Sequence, residues 1–170
     1  SLPQLAFTKK LSLTYKREKI IDQMIAEDAK RRDFTINAIY LSFPDFRLVD
    51  KLSGRGAIAN RIIKIIGDPK GRLLEDPVRI LRAIRLEAKF GFSQHKKFAH
   101  WTSEFKSLLF KISHQRMFLE FIKMMHTGHA VASISLLYQY ELMDLFIKHR
   151  GIKKEYILAV AECCDDCYNH

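Results

Sequence analysis

Residues 75–85 read Glu75-Asp76-Pro77-Val78-Arg79-Ile80-Leu81-Arg82-Ala83-Ile84-Arg85. Asp76 is a favourable N-cap, and Pro77 suits the first helical position because its missing N–H has no partner to lose there. Apolar residues then recur on one face of the helix, and the arginines lie along a neighbouring face. The segment therefore predicts a helix that starts at Asp76 and is ended by Gly91.

Upstream of this helix, the pattern is that of short strands joined by turns. Residues 34–43 predict a mostly buried strand, and residues 46–49 predict the second arm of a hairpin after the turn at Pro44-Asp45. The β-branched run at 61–66 predicts another short strand. Residues 1–20 show no clear period and could form a strand and a short helix, or be poorly ordered.

Downstream of Gly91 the apolar periodicity is helical throughout. It predicts helices near 95–111, 115–126, 129–139, 141–149 and 153–166. The sequence as a whole therefore predicts an α+β fold, in which a small mixed α/β piece to about Pro69 precedes an all-helical remainder.

The composition is that of an ordered, basic protein. Of its 170 residues, 48% are apolar and 28% charged, which allows one sizeable core. The net charge of +10 favours a polyanionic partner, most commonly nucleic acid, with a basic but unspecialised surface as the alternative. No apolar run has the length of a membrane span, so no membrane partner is expected. Three cysteines crowd the last eight residues without disulfide spacing, which favours the cytoplasm.

A second charged segment reads Arg31-Arg32-Asp33-Phe34-Thr35-Ile36-Asn37-Ala38. Arginine forks suit phosphate, and an acid beside them can orient a guanidinium or accept from a ribose hydroxyl. Asn37 lies in an apolar stretch and needs hydrogen-bond partners if it is buried. Asp76 and Arg79, one helical turn apart, offer the paired acceptors and donors that reading a base edge requires. An N-cap with a surface ion pair is the ordinary alternative for these two residues.

Together the two segments resemble the nucleotide-binding motifs of the class II polynucleotide nucleotidyltransferases, the bacterial poly(A) polymerases and CCA-adding tRNA nucleotidyltransferases. The likeness runs from Glu27 to Phe92. Residues 114–123 and 128–130 resemble the poly(A) polymerase branch more closely. The resemblance implies that residues 1–69 are the C-terminal part of a nucleotidyltransferase head. It also implies that residues 70–170 form a helical neck and body that binds RNA.

The resemblance also implies a nucleotide-binding site and the residues that form it. The first motif would line the ribose and phosphate side of the pocket. Asp76 and Arg79 would read the incoming base with support from Glu75, and the arginines that follow would orient the site. The implied nucleotide-binding residues are Arg31, Arg32, Asp33, Thr35, Asn37, Glu75, Asp76, Arg79, Arg82 and Arg85. No catalytic residue and no metal ligand is assigned within the chain.

The resemblance is incomplete at the catalytic acids. The family holds two Mg²⁺ ions on an Asp-x-Asp pair in the N-terminal part of the head, and these 170 residues contain no Asp-x-Asp or Asp-x-Glu. In the connecting motif Asp50 and Gly54 match, but Ala57 stands where a second acid is expected. We therefore expect a truncated or split member without the N-terminal part of the head. A separate N-terminal partner chain is one way in which its site would be completed.

By resemblance, the complete enzyme transfers AMP from ATP to the 3′ ends of RNA (mRNA, small RNA or tRNA) and releases pyrophosphate. Two alternatives stay open: a tRNA CCA-adding enzyme, which uses CTP and ATP, and a non-catalytic remnant that binds RNA or nucleotide. A third is a decayed fragment that folds poorly because the strands that would cover Ile36, Ile39 and Leu41 are missing.

Overall fold

The computed structural model describes residues 18–147 and 151–169. Its first part is a short α/β region in which small elements alternate with turns. In chain order these are α1 (18–31), a 3₁₀ turn (Thr35–Asn37), β1 (Ile39–Leu41), β2 (Leu48–Asp50), α2 (Gly54–Ala59) and β3 (Ile62–Ile63). The prediction for residues 1–20 falls outside the described residues, except that 18–20 belong to α1.

The second part is helical apart from one two-residue strand. Its elements are α3 (Pro69–Glu75), α4 (Arg79–Phe90), β4 (Ser93–Gln94), α5 (Phe98–Leu109), α6 (His114–Met125), α7 (Ala130–Gln139), a 3₁₀ turn (Met143–Leu145) and α8 (Lys154–Asn169). The α+β class predicted from the sequence is confirmed. Within the described residues, no helix combines the length and the apolar character needed to cross a membrane.

The predicted hairpin is confirmed, but the strand before it is shorter than predicted. β1 and β2 pair antiparallel. The prediction of a strand over 34–43 is wrong at its start, because Phe34 makes only an isolated bridge to Ile65 and a 3₁₀ turn follows. The guanidinium of Arg32 donates to the carbonyl of Asn37 at 2.8 Å. In an extended chain the carbonyl of Asn37 would lie too far from the guanidinium of Arg32 for a hydrogen bond, so this contact requires the turn.

The β-branched run at 61–66 forms less strand than predicted. β3 covers only two of its residues and pairs in parallel with β4, a strand that the sequence did not predict. Arg61, the first residue of the run, and Gly67, the residue directly after it, have φ values of 53° and 80°. These left-handed conformations interrupt the extended chain on both sides.

The helix that carries the arginines is confirmed, with a later start. α4 begins at Arg79, because a turn precedes it in which the carboxylate of Asp76 accepts the backbone N–H of Val78 at 3.2 Å. Asp76 therefore caps this turn rather than the helix itself. Gly91 ends α4 as predicted, with a φ of 61° that favours glycine.

Two other helical predictions differ from the structure. α3 was not predicted, although Asp68 caps it by accepting the N–H of Gly71 at 2.7 Å. The helix predicted over 141–149 is wrong in the described residues, which hold only the 3₁₀ turn there. Glu141 has a left-handed φ of 56°, so the chain leaves the helical direction directly after α7. α5 to α8 lie within three residues of the predicted ends.

The main core lies among α4 and the helices that follow it. Leu81 of α4 and Leu137 of α7 are fully buried. The aromatic residues Phe98, Trp101 and Phe105 of α5 are buried in the same core. One face of α4 is therefore packed rigidly, which fixes the direction of the arginines on its other faces.

Candidate nucleotide-binding site

Asp33 is the centre of an ion-pair network between the α/β region and α4. Its Oδ1 accepts from Nε of Arg79 at 2.7 Å, and its Oδ2 accepts from Nη1 of Arg82 at 2.5 Å. The Asp33 side chain is 17% exposed and that of Arg79 is 8% exposed, so these charges neutralise each other largely out of water. Burial raises the pKa of Asp33, but the hydrogen bonds from the two arginines outweigh it and hold that pKa below its usual value.

Arg72, which the sequence analysis did not single out, ties the network together. From α3 its Nη1 donates to Glu75 at 2.8 Å, and its Nη2 donates to the main-chain carbonyl of Arg32 at 3.0 Å. Nη1 of Arg79 donates to the same Glu75 oxygen at 3.0 Å and to the carbonyl of Arg72 at 2.5 Å. The three-residue spacing of Arg72 and Glu75 predicts a side-chain contact only if the segment is a helix. Because α3 was not predicted, the sequence analysis did not identify Arg72 as part of the site.

Asp76 is held by a different partner from Arg79. Its Oδ1 accepts the N–H of Val78, and its Oδ2 accepts from Nη2 of Arg116 at 2.6 Å. Arg116 belongs to α6, forty residues further along the chain, within the segment whose motif resembles the poly(A) polymerase branch. The two predicted base-reading residues are therefore fixed separately, Arg79 by the α/β region and Asp76 by α6.

α6 also contacts the network through a buried acid. Glu120, which is 2% exposed, accepts from Nζ of Lys123 at 3.0 Å and lies 3.4 Å from Nε of Arg82. Its other oxygen, Oε2, and the Nε of Arg85 are buried without a hydrogen-bond partner in the described residues. Arg82 is thus shared between Asp33 and Glu120, and α6 contacts both α4, at Arg82, and the turn before α4, at Asp76.

The rest of the first motif lies at the edge of the network. Arg31 is 79% exposed and 3.7 Å from Asp28. Arg32 donates to Asp28 at 2.9 Å and to the carbonyl of Asn37. Thr35 is buried, whereas Asn37 is exposed and needs no buried partners for its amide. The structure thus places the two arginines where a charged ligand in solvent could contact them.

Asp50 and Gly54 of the connecting motif have a structural role. The Asp50 carboxylate accepts the main-chain N–H groups of Gly54 and Arg55, both at 2.9 Å, at the start of α2. Burial raises the pKa of Asp50, but these backbone hydrogen bonds hold it below its usual value. A Cβ on Gly54 would lie 2.3 Å from the carbonyl oxygen of Thr35, so only glycine fits there. Ala57 is buried in the same helix.

The structure brings four of the ten predicted residues into direct side-chain contact, namely Asp33, Glu75, Arg79 and Arg82. Their carboxylates are bonded to guanidinium groups and do not fit Mg²⁺, which prefers free carboxylate oxygens. Among the described residues, no group of three or more His, Cys, Asp or Glu side chains could hold a metal ion. The arrangement suits recognition of a charged, hydrogen-bonding ligand by pre-oriented arginines.

Two segments of the chain match models of known domain families. Residues 6–64 match the poly A polymerase head domain. Residues 91–150 match a domain described as the probable RNA- and SrmB-binding site of polymerase A. The first match includes Asp33 and the second includes Arg116, so the two matched segments meet in the network described above.

Comparison with individual proteins identifies relatives of the same two kinds, poly(A) polymerases and CCA-adding enzymes. Poly(A) polymerase I of Escherichia coli O157:H7 is 40% identical over 120 residues, which are 71% of this chain and 26% of that protein. The CCA-adding enzyme of Geobacillus sp. (strain WCH70) is 44% identical over 111 residues, 65% of this chain and 27% of that protein. The chain spans about a quarter of the length of these relatives. The crystal structure of the Bacillus stearothermophilus CCA-adding enzyme in complex with CTP has a TM-score of 0.67 and 34% identity, over 81% of this chain and 34% of that one.

The fold of the described residues, in which an α/β region meets a helical one, is similar to that of this CCA-adding enzyme. The chain belongs to the family of the bacterial poly(A) polymerases and CCA-adding enzymes. The family resemblance stated from the sequence motifs is therefore confirmed.

Proposed function

We propose that this chain supplies the base-reading and ribose-reading part of an RNA nucleotidyltransferase that transfers AMP from ATP to RNA 3′ ends. The network around Asp33 carries the proposal, because it fixes Arg79 and Arg82 at the junction of the two matched segments. Burial of so many charges is costly unless they are paired, and the network leaves the side chain of Arg82 30% exposed to a ligand. Family membership supports the reaction class.

The residue roles follow from the geometry and the resemblance together. Asp76 and Arg79 read the base, since each is held from a separate side and they lie three residues apart, in the turn before α4 and at its first residue. Arg31 and Arg32 contact the phosphates and ribose, because both are exposed beside the network. The same side of the pocket is lined or supported by Asp33, Thr35, Asn37 and Glu75. Arg82 and Arg85 orient it from α4.

The metal and the RNA belong to other surfaces. Mg²⁺ would be held by acids that these 170 residues do not supply, and a partner chain is one source of them. RNA would lie as a single strand along the basic helical region over residues 70–170, with its phosphates held by Lys and Arg. The three cysteines are free thiols, which supports a reducing, cytoplasmic setting.

Two other functions have specific support. A CCA-adding activity is favoured by the 44% identity to the Geobacillus enzyme. A non-catalytic nucleotide or RNA binder is favoured by Ala57, which stands in the connecting motif where a second acid is expected. Both alternatives use the same Asp76 and Arg79, so these residues alone do not separate them.

The test is primer extension with the purified chain, a short RNA, Mg²⁺ and labelled ATP or CTP in separate reactions. Repeated AMP addition supports the poly(A) polymerase function. Addition of CMP and then AMP to a tRNA that lacks its CCA end supports the alternative CCA-adding function. Absence of both, combined with measurable ATP binding, supports the non-catalytic binder.

Equilibrium ATP binding provides the second readout. Asp76→Ala and Arg79→Lys should each weaken ATP binding, whereas Lys111→Ala, which removes one positive charge from the turn between α5 and α6, should not. A chain that neither extends RNA nor binds ATP would overturn the proposal. Circular dichroism of each variant separates loss of binding from loss of the fold.

A further inference from the structure

Arg32 is held in one orientation by groups on three sides. Its Nε donates to Oδ2 of Asp28 at 2.9 Å, and its Nη1 donates to the main-chain carbonyl of Asn37 at 2.8 Å. Its Cζ lies 5.0 Å from the centre of the Tyr40 ring, within cation–π distance. Arg72 donates to the carbonyl of Arg32 itself, so the main chain at this residue is fixed as well.

The supports of Arg32 also contact each other. The hydroxyl of Tyr40 donates to the same oxygen of Asp28 at 2.7 Å. The hydrogen bonds from Tyr40 and from Arg32 hold the pKa of Asp28 below its usual value. Asp28, Arg32 and Tyr40 therefore form a closed triad that joins α1, the segment after it and β1.

The triad leaves Arg32 able to bind a ligand. Its side chain is 44% exposed, and its contacts with protein use Nε and Nη1, so guanidinium N–H donors remain for an anion. A long side chain loses rotamer entropy when it binds, and prior immobilisation removes most of that cost. A fully solvated surface arginine without these contacts would gain less binding free energy from the same phosphate, because it would first have to lose its rotamer entropy.

We propose that Asp28 and Tyr40 are positioning residues that pre-orient Arg32 to bind the phosphate groups of the nucleotide. The proposal deepens, and rests on, the proposed nucleotidyltransferase function. Asp28 supplies the charge that orients Nε, and Tyr40 supplies both the ring beneath the guanidinium and the hydroxyl that fixes Asp28. Arg32 makes the contact with phosphate, and the other two residues act through it.

The test compares three ligands: ATP, adenosine and inorganic tripolyphosphate. Asp28→Asn should weaken ATP and tripolyphosphate binding by about fivefold and leave adenosine binding unchanged. Tyr40→Phe, which keeps the ring and removes the hydroxyl, should have a smaller effect in the same direction. Asp22→Asn is the matched control, because Asp22, like Asp28, is an α1 carboxylate in an ion pair. Its partner is Lys51 rather than Arg32. Asp22→Asn should leave the binding of all three ligands unchanged.

A double-mutant cycle distinguishes positioning from a structural role. In an Arg32→Ala background, Asp28→Asn should cost no further phosphate affinity, because the residue through which it acts is gone. If Asp28→Asn still weakens ATP in that background, or weakens adenosine equally, the positioning role is wrong although the nucleotide site stands. If the wild type binds tripolyphosphate in an Asp28-dependent way but neither ATP nor adenosine, the proposed function fails and the triad stands. Absence of tripolyphosphate and ATP binding overturns both.

Discussion

Nε of Arg79 donates to Oδ1 of Asp33 at 2.7 Å, although the two residues are 46 positions apart in the chain. This contact joins the two arginine-rich motifs, one at the end of α1 and the other at the start of α4. Since the Arg79 side chain is only 8% exposed, its charge depends for compensation on Asp33, which is the less exposed of its two carboxylate partners, and on Glu75. The same contact therefore contributes both to the stability of the junction and to the orientation of the proposed base reader.

Removal of the central carboxylate should be strongly destabilising. Asp33→Ala leaves two partly buried guanidinium groups without their main counter-ion, so we expect a loss of about 3 kcal/mol in the free energy of unfolding. Urea denaturation followed by circular dichroism measures the change. Arg31→Ala is the control, because that side chain is 79% exposed and its loss should change stability by less than about 0.5 kcal/mol. Equal effects of the two substitutions would contradict the buried network.

The contribution of Asp33 should also depend on pH. Its pKa in the folded protein lies below the ordinary value of 3.8, because the arginine hydrogen bonds outweigh burial. The stabilisation is therefore complete above about pH 4 and is lost as pH falls through the folded-state pKa. The difference in unfolding free energy between the wild type and Asp33→Asn should shrink as the pH is lowered from about 6 to about 3. A constant difference across that range would show that the charge of Asp33 is not the source of its effect.

The fold was predictable where a helix is long enough for its apolar residues to repeat over several turns. α5 to α8 each extend over ten or more residues, so their apolar spacing predicts them, and the Gly91 stop depends only on backbone conformation. The seven-residue helix α3 is too short for a periodic signal, and the two-residue strand β4 exists only because β3 lies beside it. Glu141 stops a helix that its apolar neighbours favour, and its left-handed conformation has no signal in the residue type.

The site was predictable as a list of residues and not as a set of contacts. The motifs identify Asp33 and Arg79, but sequence spacing does not specify that they bond to each other. Arg72 and Arg116 were missed because their partners depend on how α3 and α6 pack, which is a tertiary effect. Asn37, placed by its apolar neighbours in a buried strand, is exposed because the chain turns there.

Two glycines of α2, Gly54 and Gly56, provide a matched pair of substitutions that tests how closely α2 packs against the 3₁₀ turn and β1. A Cβ on Gly54 would lie 2.3 Å from the carbonyl oxygen of Thr35 and 2.8 Å from Cγ1 of Ile39, whereas a Cβ on Gly56 would meet nothing within 4 Å. We expect Gly54→Ala to destabilise the protein by about 2 kcal/mol. Gly56→Ala should stabilise it by about 0.5 to 1 kcal/mol, since alanine favours the helix. Thermal unfolding of both variants checks the sign, and a neutral Gly54→Ala would contradict the packing of α2 against the 3₁₀ turn.

Arg116 should affect nucleotide binding only through Asp76. It donates to Oδ2 of Asp76 at 2.6 Å from a different helix, and a hydrogen bond between charged groups fixes the direction of the acceptor. We expect Arg116→Ala to weaken ATP binding about tenfold, a loss of about 1.4 kcal/mol, and Asp76→Ala to weaken it at least as much. The double variant should bind no worse than Asp76→Ala alone, because an acceptor that has been removed needs no orientation. Titration calorimetry with Lys111→Ala as the charge-matched control measures all four affinities, and additive losses would mean that Arg116 contacts the nucleotide itself.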